Sequence, residues 1–460
     1  MKPTEEVLQG LTRPSNVSVH SDDALVGKVK AAITADDEKR KENEDEPLRR
    51  KPALVPILPT ELPRQFEVTL WDVLHTLARA TALSWRGAGR GLAEHWGALK
   101  YTQALAGGRD SFLGLTDEGH RIADHYKSLQ SRELGFALTL SEHMLRSRFP
   151  DHSVTIVPAD TALRAGWALT STDKGEKVKY RYRPQYFAEV WRPGEPSLAI
   201  TLACKGNHSD SATSAEQLAS ASAHAEAVHI GTWNETPGLL FSTQLPTDGA
   251  TMAVHALQAP GSGGRLSPAE GRVANRNAPP FQANVMPDIH PPAEGLVARE
   301  PVRGCHVQPK DYAWFQESLA HTTAAGLMAF TGSGHATARH LTDRQGRKRF
   351  TGLEHAASMS IQDAAHTLFG NEYVGTDHVF RLNGPRVEAF SGVDKEVFRL
   401  LARGDIEEYR ALVHASRHVR PRLTFDKDWG GPVSVHADSS VFALRLLPGQ
   451  NEEPCACSSR

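Results

Sequence analysis

The chain has 460 residues, 40% of them hydrophobic and 23% charged, enough for two or three domains with real cores. Its formal charge of −2 excludes a whole-molecule attraction to nucleic acid or anionic lipid, so any such surface must be a local patch. Four cysteines, Cys204, Cys305, Cys455 and Cys457, show no C-x-x-C spacing, which argues against a disulfide framework or a cysteine zinc site and for a reducing, cytoplasmic location.

Residues 1–60 read as a disordered, charged tail. The N-terminus lacks the apolar stretch of a secretory signal. From Asp36 to Lys51, 13 of 16 residues are charged with mixed sign, and such a segment buries too little apolar surface to offset chain entropy.

Residues 61–130 read as a helical domain. Leu70, Val73, Leu74, Leu77 and Ala78 follow the i, i+3, i+4, i+7, i+8 spacing of one helix face. A second helix is expected over 91–107, stopped by Gly107-Gly108, and a third follows with Thr116 as its N-cap. The string L-T-D-E-G-H-R-I-A at 115–123 resembles the junction of wing strand and last helix in winged-helix domains.

Residues 131–258 alternate differently. A helix over 132–149 precedes a strand over 153–160. A basic stretch leads to two apolar strands, 185–191 and 197–206, whose connection Arg192-Pro193-Gly194-Glu195-Pro196 has hairpin chemistry. An alanine-rich helix over 215–230 follows, with Ser214 as its N-cap. The order is α-β-β-β-α, and two more strands are expected before 258. Residues 259–309 read as a Pro/Gly-rich linker, 310–450 as a mixed α+β region opening with a helix at Tyr312, and 451–460 as a tail. No run reaches the roughly 18 apolar residues of a membrane span.

The central stretch resembles the PD-(D/E)XK nuclease superfamily over about 100 residues, in degenerate form. Arg183-Pro184-Gln185-Tyr186-Phe187 stands where R-P-D-Y-F is expected, and Ala203-Cys204-Lys205-Gly206 where E-x-K-G is expected. Gln217 occupies a familiar place in the following helix, and Glu133 and Glu142 lie on the preceding one. The resemblance implies an α/β (α+β) fold with an α-β-β-β-α core and, if the site is active, Mg²⁺-dependent hydrolysis of DNA phosphodiesters. In such a site two carboxylates hold the hard cation and a lysine stabilises developing charge. Here the two central acids are replaced by Gln185 and Ala203. Either catalysis is lost and the fold serves binding or scaffolding, or an acid has migrated to Glu189, Asp160, Glu133 or Glu216. On the active reading Lys205, Gln185 and Gln217 line the reaction centre, and Glu189, Asp160 and Glu133 hold metal.

Lys177, Lys179, Arg181 and Arg183 alternate along the chain, interleaved with Tyr180 and Tyr182. The row reads equally as a track for a DNA backbone or as a charge-protected edge strand. A second basic row runs through Arg339, Arg344, Arg347, Lys348 and Arg349. Cys204 reads as a buried structural thiol. His208 reads as a solvated loop residue, and His335 and His340, five apart, as loop or surface histidines. A DNA-associated protein is the leading expectation. A non-enzymatic DNA-binding or scaffolding protein and a protein–protein interaction module are the alternatives.

Overall fold

The computed structural model describes residues 3–83, 105–107, 113–115, 135–166, 170–173, 176–179, 182–231, 236–245, 251–267, 288–289, 301–351, 364–382, 384–418 and 423–447. Its centre is a mixed sheet. The strands are β1 (Ser15–His20), β2 (Val55–Pro56), β3 (Gln65–Val68), β4 (Ser153–Pro158), β5 (Tyr186–Trp191), β6 (Ser197–Asn207), β7 (Gly238–Gln244), β8 (Ala253–Ala259) and β9 (Arg265–Leu266). The order is β3-β1-β8-β7-β6-β5-β4, with β9 on β6 and β2 on β8. Strands β4, β5 and β6 form an antiparallel meander. Strand β7 then lies parallel to β6, after a crossover through a helix.

Alternation along the strands separates two faces. Ala188, Val190, Ile200, Leu202 and Cys204 share one core with helices α3 (Leu70–Thr81) and α4 (Phe136–Arg148). Α1 (Thr4–Leu11) and α2 (Asp23–Glu42) precede these in the chain. On the other face, Ala203, Leu240 and Leu257 pack against α2 and α6 (Ser211–Glu226), while Phe187 and Ala199 pack against α7 (Tyr312–Phe330). Between α4 and α6 lies the short α5 (Ala159–Arg164). The small side chains of α6 let it sit close to the sheet.

The C-terminal part forms a second, antiparallel sheet. Its strands are β10 (Ala364–Leu368), β11 (Asn371–Arg381), β12 (Arg386–Asp394), β13 (Leu423–Asp426), β14 (Gly431–Val435) and β15 (Ser440–Leu446), in the order β10-β11-β12-β15-β14-β13. Helices α8 (Gly334–Arg339), α9 (Lys395–Arg403) and α10 (Ile406–Ser416) complete it. Val397, Leu401, Tyr409 and Val413 of α9 and α10 pack on α7. Val387, Ala389, Phe442 and Leu444 join the core of the first sheet. Among the described residues no helix is long and apolar enough to cross a membrane.

Several expectations need correction. Residues 1–60 are not a tail: β1 is an interior strand of the main sheet, between β8 and β3. Most of the charges from Asp36 onward continue α2, whose first turns bury Leu25, Val26 and Val29 and whose N-cap Asp22 accepts from Leu25 N–H at 2.8 Å. The basic end docks: Lys51 Nζ lies 3.2 Å from buried Glu226 Oε2, and Arg50 pairs with Asp36 and Asp37. Composition counted the charges and missed their partners. Residues 105–107 are a strand paired with 113–115 rather than the end of a helix; the rest of the winged-helix resemblance lies outside the described residues. Α6 starts earlier than expected, its N-cap is Asp210 rather than Ser214, and 228–230 form a strand with 305–307. Part of the expected linker is therefore folded.

Candidate functional site

The residues singled out by the nuclease resemblance stand around β5 and β6. Gln185 precedes β5, and its Oε1 accepts from Cys204 N–H at 3.0 Å. Ala203 is fully buried against α6. Half-buried Lys205 is in register with Ser242 of β7. Gln217 Nε2 donates to Gly206 O at 2.7 Å, and its Oε1 accepts from Ser242 Oγ at 2.7 Å and Asn207 Nδ2 at 3.3 Å. The groups bonded to Gln185 and Gln217 are all neutral. Burial pushes the Cys204 thiol up to about 12 despite nearby Lys205, so the sulfur stays protonated and structural, as read from the sequence.

Of the acids proposed to have migrated, Glu189 and Asp160 are already engaged. Glu189, with no solvent exposure, receives Arg410 Nη2 at 2.9 Å and Nη1 at 3.3 Å, and that guanidinium lies 4.0 Å over the Trp191 ring. Asp160 on α5 accepts from Arg183 Nη2 at 2.9 Å, with Arg164 3.6 Å away. Glu142 pairs with Arg146, and Glu216 is exposed on α6. Glu133 and Arg181 lie outside the described residues, as do the side chains of Lys177 and Lys179, whose backbone forms a strand with Thr170–Asp173. An amide already bonded to a backbone N–H, a methyl group and a guanidinium-paired carboxylate do not fit Mg²⁺, which requires free anionic oxygens. His340 is also not a surface histidine. It is fully buried, with Nδ1 3.4 Å from His321 Nδ1 and Nε2 2.8 Å from Leu401 O. Burial lowers these two to about 4 and about 3, so both rings stay neutral.

A separate concavity lies elsewhere. A cleft of about 770 Å³ opens at the free edge of β4, between α3, α4, the end of α10 and the turn after β14. Its wall is a buried charge network. Asp72, His75 and Arg79 recur at i, i+3 and i+7 along α3. Asp72 Oδ1 lies 3.0 Å from His436 Nε2. Arg79 donates to Asp438 Oδ2 from Nε at 3.0 Å and Nη2 at 2.8 Å. His75 bridges Ser434 Oγ at 2.9 Å and Ser440 Oγ at 3.0 Å and stacks on His436 with centroids 3.8 Å apart. Burial alone would raise the Asp438 carboxyl, but Arg79, His436 and Ser440 outweigh it and hold it well below the usual range. Burial likewise opposes charge on His436, and the bond to Asp72 overrides it, raising the imidazole above its ordinary value. This wall is therefore a set of paired ions.

The opposite rim is different. Thr139, His152, Thr155, Trp191 and Arg417 all line the cleft, and each carries a solvent-shielded polar atom (Oγ1, Nδ1, Oγ1, Nε1 and Nε) with no hydrogen-bond partner among the described residues. Each such atom costs about 1–3 kcal/mol while unpaired. No carboxylate among the described residues pairs with Arg417, whose Nη1 donates to His414 O at 2.7 Å. Two of the five atoms, the indole and guanidinium N–H, are donors only, so the rim suits oxygen acceptors. Sequence reasoning missed this site because the partners in its charged wall lie some 360 residues apart in the chain. The available signal was three polar residues on one face of an otherwise apolar helix.

Compared with known proteins, the chain matches no family model, no curated protein and no solved structure.

Proposed function

We propose that this chain is a non-hydrolytic binding protein built on a PD-(D/E)XK-like core, with nucleic acid as its partner and the cleft at the edge of β4 as the place where phosphate groups dock. One observation carries the loss of catalysis: both acid positions are occupied by uncharged side chains, and the nearest substitute on β5, Glu189, is sealed in an ion pair with Arg410. The helix, three-strand meander, helix and parallel fourth strand support the nuclease-like core. Arg417, which pairs with no carboxylate among the described residues and stands among unpaired polar atoms, supports an anionic ligand. The basic row 177–183 supports a polyanion.

Two assays on the full chain test this. With Mg²⁺ or Mn²⁺, neither single- nor double-stranded DNA is cut. Cutting that disappears in Lys205→Ala would replace this reading with an active nuclease. In fluorescence anisotropy, short labelled DNA binds with an affinity that falls as salt rises, and Arg417→Ala weakens binding without abolishing folding. No binding at low salt would leave a protein–protein module as the better reading. Gln185→Asp with Ala203→Glu probes the core separately, because metal-dependent cleavage by that variant requires the nuclease arrangement.

A further inference from the structure

The second sheet carries a cluster that the nuclease-like core does not use. His366 on β10, Asp377 on β11 and Glu388 on β12 come from three adjacent antiparallel strands. Their donor atoms all lie within 4.8 Å of one another, and no other His/Cys/Asp/Glu group among the described residues does this. His366 Nε2 is 3.1 Å from both oxygens of Asp377. Two ligands bonded to one ion at about 2.0–2.2 Å stand roughly 2.9–3.4 Å apart, so this pair is already at ligand spacing.

The surroundings hold the imidazole in place. Its ring meets Phe390 edge-on at 4.6 Å and Trp429 edge-on at 4.9 Å. Arg445 bonds one oxygen of Glu388, Oε2, where Arg410 takes both oxygens of Glu189, and its guanidinium lies 4.0 Å over Trp429. Trp429 is only 6% exposed, and its indole N–H has no partner among the described residues. The aromatic packing fixes the imidazole and Arg445 orients one carboxylate, two forms of outer support that metal ligands use.

We propose that His366, Asp377 and Glu388 form a site for one divalent transition-metal ion, Zn²⁺ or Mn²⁺. The proposal does not depend on the reading of the cleft. One nitrogen and two carboxylate ligands suit these ions better than Mg²⁺, which takes oxygen alone. Three protein ligands leave a coordination position for water. The rival arrangement, two plain ion pairs His366–Asp377 and Arg445–Glu388, uses the same atoms and needs no ion.

Calorimetric titration of the chelator-treated full chain with Zn²⁺ and with Mn²⁺ separates the two. The expected result is one saturable, tight site per chain for at least one of the ions, lost in His366→Ala and in the nearly isosteric Asp377→Asn. Co²⁺ should give visible ligand-field bands that vanish in the same variants. Circular dichroism confirms that Asp377→Asn is folded. Absence of a one-ion event in the unmodified chain, or its persistence in both variants, would overturn the site in favour of the ion pairs.

Discussion

Glu189 and Arg410 are separated by 221 residues in sequence and joined at 2.9 Å in the fold. Glu189 has no solvent exposure and Arg410 is 6% exposed. Bringing both charges into the interior costs several kcal/mol each, offset by mutual attraction and by the two hydrogen bonds between them. Removing one partner leaves the other charge buried and uncompensated. We therefore expect Glu189→Ala to destabilise the protein by about 3–5 kcal/mol, and Glu189→Leu with Arg410→Met to recover most of that loss. Denaturant unfolding followed by tryptophan fluorescence reads this directly, because the guanidinium covers Trp191. A loss below about 1 kcal/mol in Glu189→Ala would mean that water reaches the pair, as for an exposed salt bridge, and would reopen Glu189 as a metal ligand.

Elements follow local rules where neighbours in sequence are neighbours in space. The apolar face of α3, the β5–β6 hairpin with its Pro-Gly turn, the alanine-rich α6 and the start of α7 at Tyr312 were all legible, because periodicity of 2.0 or 3.6 residues decides them. The second sheet was only partly legible, as short strands without partners, and one reason is a contact that no periodicity shows. Gly375 of β11 faces Gly392 of β12. A Cβ built on Gly375 would stand 2.0 Å from Ser391 O, and one on Gly392 2.5 Å from Phe390 Cζ. The two strands run this close only because neither residue has a side chain, and Ser391 Oγ then reaches Phe330 O at 2.9 Å, tying the sheet to the end of α7. Gly375→Ala must push the strands apart. The expected cost is about 1–3 kcal/mol, the usual range for overpacking. Hydrogen exchange over Asn371–Asp394 should rise well above the rest of the sheet. Unchanged protection there would show that the ladder absorbs a methyl group and that the glycine pair is incidental.

At the scale of the whole molecule, the sequence signals fail where charge and distance dominate. The cleft was invisible because Asp72 and His436, 3.0 Å apart in space, sit in regions that read as separate domains. The N-terminal segment was misread because its charges find partners only in the fold. Val17 and Val19 of β1 belong to the main core, and β1 pairs in parallel with β8 on one side and antiparallel with β3 on the other. Thr4 Oγ1 donates to Leu382 O at 2.7 Å, linking α1 to the C-terminal sheet, and Lys51 Nζ donates to Thr236 O at 2.7 Å beside Glu226. Deleting residues 1–60 would therefore remove two sheet strands, β1 and β2, strip β8 and β3 of partners and leave buried Glu226 without its lysine. Exposed strand edges of this kind recruit other chains. The truncated protein is expected to aggregate on expression or to lose cooperative thermal unfolding. A disordered tail predicts the opposite: a well-behaved truncation with an unchanged melting temperature. That result would dissolve the central role of β1 and, with it, the docking of Arg50 and Lys51 as a structural clamp. Lys51→Ala in the full chain gives a graded version of the same test. It should lower the melting temperature if the clamp holds the sheet together.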